Sequence, residues 1–371
     1  MYYVGVDYHL EVAVACITDA HGKEWKTLEL PSTPEGMDVL IDVMKGKKYR
    51  VLGEAFTYSI DLNNYLIGRG VTSDLVRPTD FRIVTSSNKK TDRHDARSIA
   101  WYLRLMDKGE IGLRPSLILK DEQRALRDLC RLREDISKNI GITNQRIRSH
   151  MRINAEYLPV EIFGDSPDLR IQKVQHFIIT EFGDDFTLQE LLRQQAFYIE
   201  RSKAIDMELD RFPYDAESID LLMRIPGIGK LSAVELMSMI VDISRFPSSD
   251  AMRSYFGMAP RVRNSGETIS HGHLTKQGDP MMRKVLERIV ASHMRWCKES
   301  KVTMKYHSVR ARAAGGVAMM AAANKMLDVI YSVLTNRRPF RVRAIDEGAI
   351  GRANPIRCLR TFLQHPSALS K

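Results

Sequence analysis

Residues 2–7 (YYVGVD) and 11–18 (EVAVACIT) are apolar runs of strand length with one short turn between them, and a third lies near 26–30. That opening limits the architecture, because strands this close in sequence pair as neighbours in a sheet. The period then alternates. Pro34 opens a helix through Leu40 and Ile41 to Met44, and a strand runs from Tyr49 to Glu54. A helix from Ser59 to Ile67 ends at Gly68 and Gly70, a strand occupies 71–77, and a helix passes through Asp92, Asp95, Ile99 and Leu103. Three strands followed by alternating helix and strand predict a mixed sheet flanked by helices over 1–118.

The pattern changes at Asp121. Leu126, Leu129, Leu132, Ile136, Ile140 and Ile147 recur at three, four or seven up to Asn154, with Arg124, Arg127, Arg131, Lys138, Arg146 and Arg148 on the remaining surface. This predicts one long helix. A second, near 187–211, carries Leu188, Leu191, Leu192, Tyr198, Ile205 and Leu209 on one side. Residues 119–212 therefore read as an antiparallel hairpin or coiled-coil arm. It either packs on its own domain or serves as an oligomerising or RNA-gripping arm. Its two helices are joined by a segment with loop signals at Phe163-Gly-Asp-Ser-Pro and Phe182-Gly-Asp-Asp. Residues 213–340 read as turn-linked helices, and 341–371 as a loosely held basic tail. The expected class is α/β plus all-α.

A hydrophobic share of 44% with 27% charged residues suits a soluble globular chain. No run approaches the roughly 20 apolar residues of a membrane span, and the opening is not that of a signal peptide. The cysteines Cys16, Cys130, Cys297 and Cys358 are too scattered for a zinc knuckle or a disulfide framework, which fits a cytoplasmic setting. His271-Gly-His273 reads as a loop rather than a ligand pair. Of the net charge of +10, residues 251–338 hold 16 Lys/Arg against 5 Asp/Glu. So local an excess points to a polyanion, most often nucleic acid, with a solvated face as the plain alternative.

Asp7 ends the first strand, Glu54 ends the fourth, and Asp92 and Asp95 stand three apart on one helix face. Carboxylates at the ends of neighbouring strands, joined by a helical pair, can converge on one point. Hard oxygen donors suit Mg²⁺, or Mn²⁺, and a pair of such ions clamps both oxygens of a phosphoryl displacement. Without a cation the cluster repels itself. The element order is that of a ribonuclease-H-like fold. Sugar kinases and actin-like ATPases share the Val-Gly-Val-Asp opening, but they need a second glycine-rich phosphate loop that this sequence does not offer.

Arg224-Ile-Pro-Gly-Ile-Gly-Lys230 resembles a helix-hairpin-helix turn, in which Gly227 and Gly229 permit a tight loop facing a phosphate and Lys230 adds charge. A plain helix–helix turn is the alternative. Ser265 precedes Gly266 in what reads as a loop, with Arg261 and Arg263 close by. A serine hydroxyl is a poor nucleophile until its proton is removed and the phosphate charge is screened, and chemistry alone does not single this one out.

Taken together these segments closely resemble the transposases of the insertion sequence 110 family, bridge-RNA-guided DEDD recombinases related to Piv-type DNA invertases. The resemblance rests on Val4-Gly-Val-Asp7, Gly53-Glu54-Ala55, Lys90-Thr-Asp92-Arg-His-Asp95, Ile225-Pro-Gly-Ile-Gly229, Ala259-Pro-Arg261-Val-Arg263-Asn-Ser265-Gly266 and Leu274-Thr-Lys276-Gln-Gly278 with the helix through Arg283, in family order. It implies a RuvC-like domain in which Asp7, Glu54, Asp92 and Asp95 hold Mg²⁺, and a Ser265 that forms a covalent phosphoserine link to DNA. It also implies an oligomer, dimer or tetramer, with composite active sites, a structured guide RNA, and both donor and target DNA as partners. Gly227, Gly229, Lys230, Arg261, Arg263, Lys276 and Arg283 are the expected nucleic-acid contacts. The setting would be the nucleoid of a prokaryote carrying the mobile element. A metal-only nuclease or junction resolvase, and a non-catalytic nucleic-acid scaffold, are the competing readings. The segment 155–186 and the tail look longer than in compact relatives.

Overall fold

The computed structural model describes residues 1–56, 58–77, 92–112, 115–154, 172–265, 268–274 and 278–341, with side chains at 92, 172–173, 175 and 260–274 excepted. The chain divides into two compact units, Met1–Lys120 and Asp121–Lys371.

In the first unit β1 (Tyr2–Tyr8), β2 (Val12–Thr18), β3 (Glu24–Pro31), β4 (Tyr49–Glu54) and β5 (Ser73–Val76) form one sheet in the order β3-β2-β1-β4-β5. The first three strands run antiparallel, as their short connections dictate, and β4 and β5 add in parallel through α1 (Pro34–Val43) and α2 (Ser59–Gly68). Thr33 caps α1 by accepting from the Gly36 amide, and Pro34 occupies the first turn, where its missing N–H costs nothing. Val4, Val6 and Tyr8 point to the α1/α2 face and are buried with Met37, Leu40, Leu62 and Leu66. Tyr3, Leu52 and Val76 face the other way, onto Ile99, Tyr102 and Leu103 of α3 (Asp92–Asp107). Helices therefore cover both faces.

Gly5 explains how closely α3 sits. A Cβ there would lie 2.2 Å from the Ala96 carbonyl oxygen and 2.2 Å from the Ala100 nitrogen, so only glycine admits the helix backbone. The direction of α3 follows from its contacts. Its last residue, Asp107, accepts a 2.9 Å hydrogen bond from the Tyr3 hydroxyl, while Ala96 packs on Val14 and Cys16 beside Gly5. The helix thus runs antiparallel to β1, bringing its N-terminal turns to the carboxyl end of that strand. Arg50 secures the far end, bridging Asp107 at 2.7 Å and Asp74 at 2.9 Å.

Among its described residues the second unit is helical except for one hairpin. Helix α4 (Asp121–Asn154) and α6 (Phe186–Arg211) lie antiparallel, with α5 (Gln172–Phe182) between them in sequence. Leu126 and Cys130 share a core with Ile205 and Leu209, and at the other end Ile147 and Met151 share a second core with Leu188 and with Val174, Ile178 and Phe182 of α5. Sequence reading passed over α5, although its apolar residues recur every fourth position. The near core continues into α7 (Ala216–Met223), α8 (Lys230–Ile240), α9 (Ser249–Tyr255), α10 (Pro280–Trp296), α11 (Lys301–Arg310) and α12 (Gly315–Asn336). Helix α12 is long and apolar enough, by length and composition, to cross a membrane, although Lys325 and Asp328 interrupt its apolar run. Its Ala322, Met326, Leu327, Ile330 and Leu334 are buried in this core, which accounts for the apolarity.

Two expected loops are strands. β6 (Pro260–Ser265) and β7 (Thr268–Leu274) pair antiparallel, with Ser265 opposite Thr268 and Val262 opposite His271. Ser265 therefore ends a strand, and His271 and His273 lie within one. At the foot of the hairpin Asn324 donates to the Met258 carbonyl at 3.0 Å, and a Cβ on Gly278 would strike the Phe256 backbone at 2.1 Å.

Candidate functional site

Asp7 and Gly5 are two residues apart on β1, and Glu54 and Leu52 two apart on β4, so both acids share the sheet face that α3 covers. The strands are neighbours in parallel register, Val6 opposite Gly53, which leaves Asp7 and Glu54 as the next residues at their carboxyl ends. One residue before Ala96, Asp95 sits on the N-terminal turns of α3, which lead toward this end of β1. Asp92 is the first residue of the same helix. Asp7, Glu54 and the start of α3 thus meet at one edge of the unit, where ligands of open α/β sheets bind.

Asp7 is 5% exposed, Glu54 and Asp95 are half-buried, and His9 Nε2 lies 3.2 Å from Asp7 Oδ2. Arg93 and Arg97 hold the opening turns of α3 to the sheet by ion pairs with Glu24, at 3.2 and 3.7 Å. Among the described residues no three His, Cys, Asp or Glu side chains are drawn together tightly enough to hold a metal ion already. The donor set nevertheless suits a hard dication, since every member is a carboxylate.

The glycine turn packs against its own unit. Gly227 adopts φ +93°, and a Cβ on it would lie 2.5 Å from the His293 amide nitrogen, so this glycine faces helix α10 of its own unit. The turn is pinned there by His293, whose Nδ1–H donates to the Pro226 carbonyl at 2.6 Å while Nε2 accepts from the Ser300 hydroxyl at 2.7 Å. Burial holds this imidazole below its ordinary pKa, which keeps it neutral. Gly229 is open at the N-cap of α8, and Lys230 pairs with Asp210.

Arg283 is half-buried, and its Nη1 finds no acceptor among the described residues. Arg261, Arg263 and Ser265 lie on β6 with side chains outside the described set, and Lys276 lies outside the described residues. Two arginines of α4 expected on an RNA-facing surface have internal duties. Arg127 donates to the carbonyls of Ser238 and Met239 near the end of α8, and Arg131 pairs with Asp279 at 3.0 Å. The basic excess of 251–338 is likewise divided. Lys284 and Arg288 are spent on Glu134 and Glu235, whereas Lys298, Lys301, Lys305, Arg310 and Arg312 are exposed on and around α11. Beside α11 two clefts of about 550 and 970 Å³ share Lys301 and Lys325, with Lys305 on one and Arg338 on the other.

Sequence reading missed Glu235. It is 1% exposed on the apolar surface of α8, and burial raises its pKa to about 7, opposed by the Arg288 guanidinium and reinforced by Glu134. One acid inside the run LSAVELMSMI is the signal that marks such a residue.

Two family models match the chain. A DEDD-type model described as "Transposase" covers residues 4–154, and one described as "Transposase IS116/IS110/IS902 family" covers 219–307. Among curated proteins, the transposase for insertion sequence element IS1111A of Coxiella burnetii is 25% identical over 300 residues, 75% of each chain. The transposase for IS1533 of Leptospira borgpetersenii is 22% identical over 92% of this chain and 98% of its own. The pilin gene-inverting protein of Moraxella lacunata is 30% identical over 126 residues, 33% of this chain and 38% of its own.

Proposed function

The chain belongs to the IS110 family of transposases, enzymes that cleave and rejoin DNA, and we propose that it does so through a carboxylate metal centre and a separate serine nucleophile. The observation that carries this reading is the placement of Asp7 and Glu54 at the carboxyl ends of adjacent parallel strands, on the face covered by the helix that Asp92 opens. The sheet order β3-β2-β1-β4-β5, antiparallel then parallel, supports a RuvC-like fold for this unit.

Asp7, Glu54, Asp92 and Asp95 would hold Mg²⁺, which when bound screens phosphate charge and favours deprotonation of an attacking hydroxyl. Ser265, at the end of β6 beside a two-residue connection, attacks phosphorus. One Oγ–P bond forms, one P–O bond to deoxyribose breaks, and the departing sugar oxygen takes up a proton. Rejoining reverses these changes, so the phosphodiester energy is conserved and no nucleotide is consumed. Arg261 and Arg263 of the same strand would neutralise the phosphate. In this reading the carboxylates of one protomer serve the serine of another, and a structured guide RNA pairs with donor and target DNA. The exposed basic helix α11 with its flanking clefts is the surface proposed for nucleic-acid backbone, in preference to α4 at Arg127 and Arg131. The likeness to a pilin gene-inverting protein favours strand exchange over cutting alone.

The test is a denaturation-resistant protein–DNA adduct, formed with the element's own junction DNA and co-expressed RNA, with and without Mg²⁺. Wild type should form it only with the metal, Ser265→Ala should abolish it, and Glu54→Gln should lower its rate by roughly three orders of magnitude or more. Cleavage that persists unchanged in Ser265→Ala would replace this mechanism with a metal-only nuclease.

A further inference from the structure

We propose that Phe56 and Tyr58 form a nucleobase-stacking platform at the carboxylate edge, on which an unpaired base of the strand being cut is held. The inference rests on the reading of Asp7 and Glu54 as the centre of DNA cleavage.

The two rings belong to the loop that leaves β4 directly after Glu54. They are 40% and 37% exposed, with centroids 6.3 Å apart and planes only 12° from parallel. A near-parallel pair presents an open π-face on which a third flat ring can continue the stack. The loop does not need the rings to hold its shape. The Ser59 hydroxyl, fully buried, accepts from the Phe56 amide at 2.8 Å and donates to the Glu54 carbonyl at 2.8 Å, with the Phe56 carbonyl 3.0 Å away. Tyr58 is also fixed from the other side, its hydroxyl donating to the Tyr8 carbonyl at 3.3 Å. Both anchors adjoin proposed ligands, Glu54 itself and the residue after Asp7. The rings are therefore positioned before any ligand arrives, which lowers the ordering cost of binding.

Other exposed aromatics of this unit are differently engaged. Trp25 carries the Lys47 ammonium over its ring at 4.8 Å and Tyr2 at 5.5 Å, and Trp101 leans edge-on against Tyr102 at 5.4 Å. Only the Phe56–Tyr58 pair, among these, stands where β1 and β4 deliver their acids. An aromatic face accepts any base, so such a platform holds a nucleotide in place without reading its identity, leaving sequence choice to other parts of the assembly.

The experiment titrates full-length protein, without divalent metal, against a 15-nucleotide single-stranded DNA carrying 2-aminopurine. Stacking should quench the fluorescence. Phe56→Leu and Tyr58→Leu should each weaken the quenching complex about tenfold, whereas Phe56→Trp, which keeps a ring, should leave it near wild type and Tyr58→Phe, which keeps the ring but loses its anchor, should fall between. Thermal melting shows which variants are folded. Should Phe56→Leu not fold, Tyr58→Leu and the ring-keeping Phe56→Trp, read by the same 2-aminopurine quenching, decide the matter. Absent quenching in wild type, or equal quenching in the folded leucine variants, overturns the platform. Because no strand is cut, this result is independent of the adduct assay: quenching without any adduct would sink the recombinase mechanism, and an adduct without quenching would sink the platform alone.

Discussion

Asp7 in the first unit and Glu235 in the second are both buried carboxylates, 5% and 1% exposed, yet their surroundings differ in kind. Glu235 lies mid-helix with the Arg288 guanidinium against it, and Arg288 also reaches Glu134, which Lys284 pairs at 3.3 Å. That acid is part of the packing between α8, α10 and α4. Asp7 stands at a strand end, level with Glu54 and below the helix that bears Asp95. A buried acid matched to cations secures helices. Asp7 has His9 Nε2 at 3.2 Å, and in the function proposed above a bound cation would join it to the acids of β4 and α3.

The glycines give the largest handle on this contrast. Gly5→Ala drives a Cβ into the α3 backbone at 2.2 Å and should destabilise the first unit by about 3 kcal/mol or more, prising α3 from β1. Gly227→Ala combines φ +93° with a 2.5 Å approach to His293 and should destabilise the second unit by a similar amount. Calorimetry with limited proteolysis would show each loss confined to its own unit; a single shared transition lowered equally by both would erase the division.

Next in size is Arg288→Ala, which leaves Glu235 buried without its guanidinium. The partner is part-exposed, so the expected loss is about 2 kcal/mol rather than the full cost of a deeply buried pair. Glu235 itself supplies a pH signature. Its folded pKa is raised to about 7 from 4.5, chiefly by burial, so the folded state holds the proton more tightly than the unfolded one. Stability from this group is present below about pH 4.5 and is lost as pH rises through about 7. Arg288 and Arg133 oppose the shift, and Glu134 and Asp206 add to it. Melting temperatures at pH 5 and pH 8 should converge in Glu235→Gln relative to wild type; an unchanged difference would remove Glu235 from the account.

The smallest expected effect is Tyr8→Phe. The Tyr8 hydroxyl is buried and finds no hydrogen-bond partner among the described residues, so removing it should change stability by less than about 1 kcal/mol, and in the stabilising direction. A loss above that in a denaturant melt would reveal a partner for it.

Periodicity made the elements legible. Alternation and the flanking glycines and proline located β1, β2, β4 and α1, and the spacing of three and four from Leu126 to Ile147 located α4. It failed where apolar pattern is weak. Between Pro260 and Leu274 only Val262, Ile269 and Leu274 are aliphatic, so no apolar alternation announced β6 and β7, which pair with each other by backbone hydrogen bonds. The carboxylates were legible because strand ends and helix starts are local features. Phe56 and Tyr58 were not, since an exposed aromatic gains meaning only from what lies beside it.

By itself the sequence determined where most strands and helices outside α5, β6 and β7 form, which of their ends carry acids, and where the basic excess lies, because each depends on residues a few positions apart. Tertiary structure alone decided that Gly5 admits α3, that Gly227 faces His293, that Arg127 donates to the α8 carbonyls and Arg131 pairs with Asp279, and that Glu235 meets Arg288 from 53 residues away. Those outcomes depend on close packing between distant segments, where a few tenths of an ångström or one unmatched charge selects the arrangement, and no local period encodes that choice.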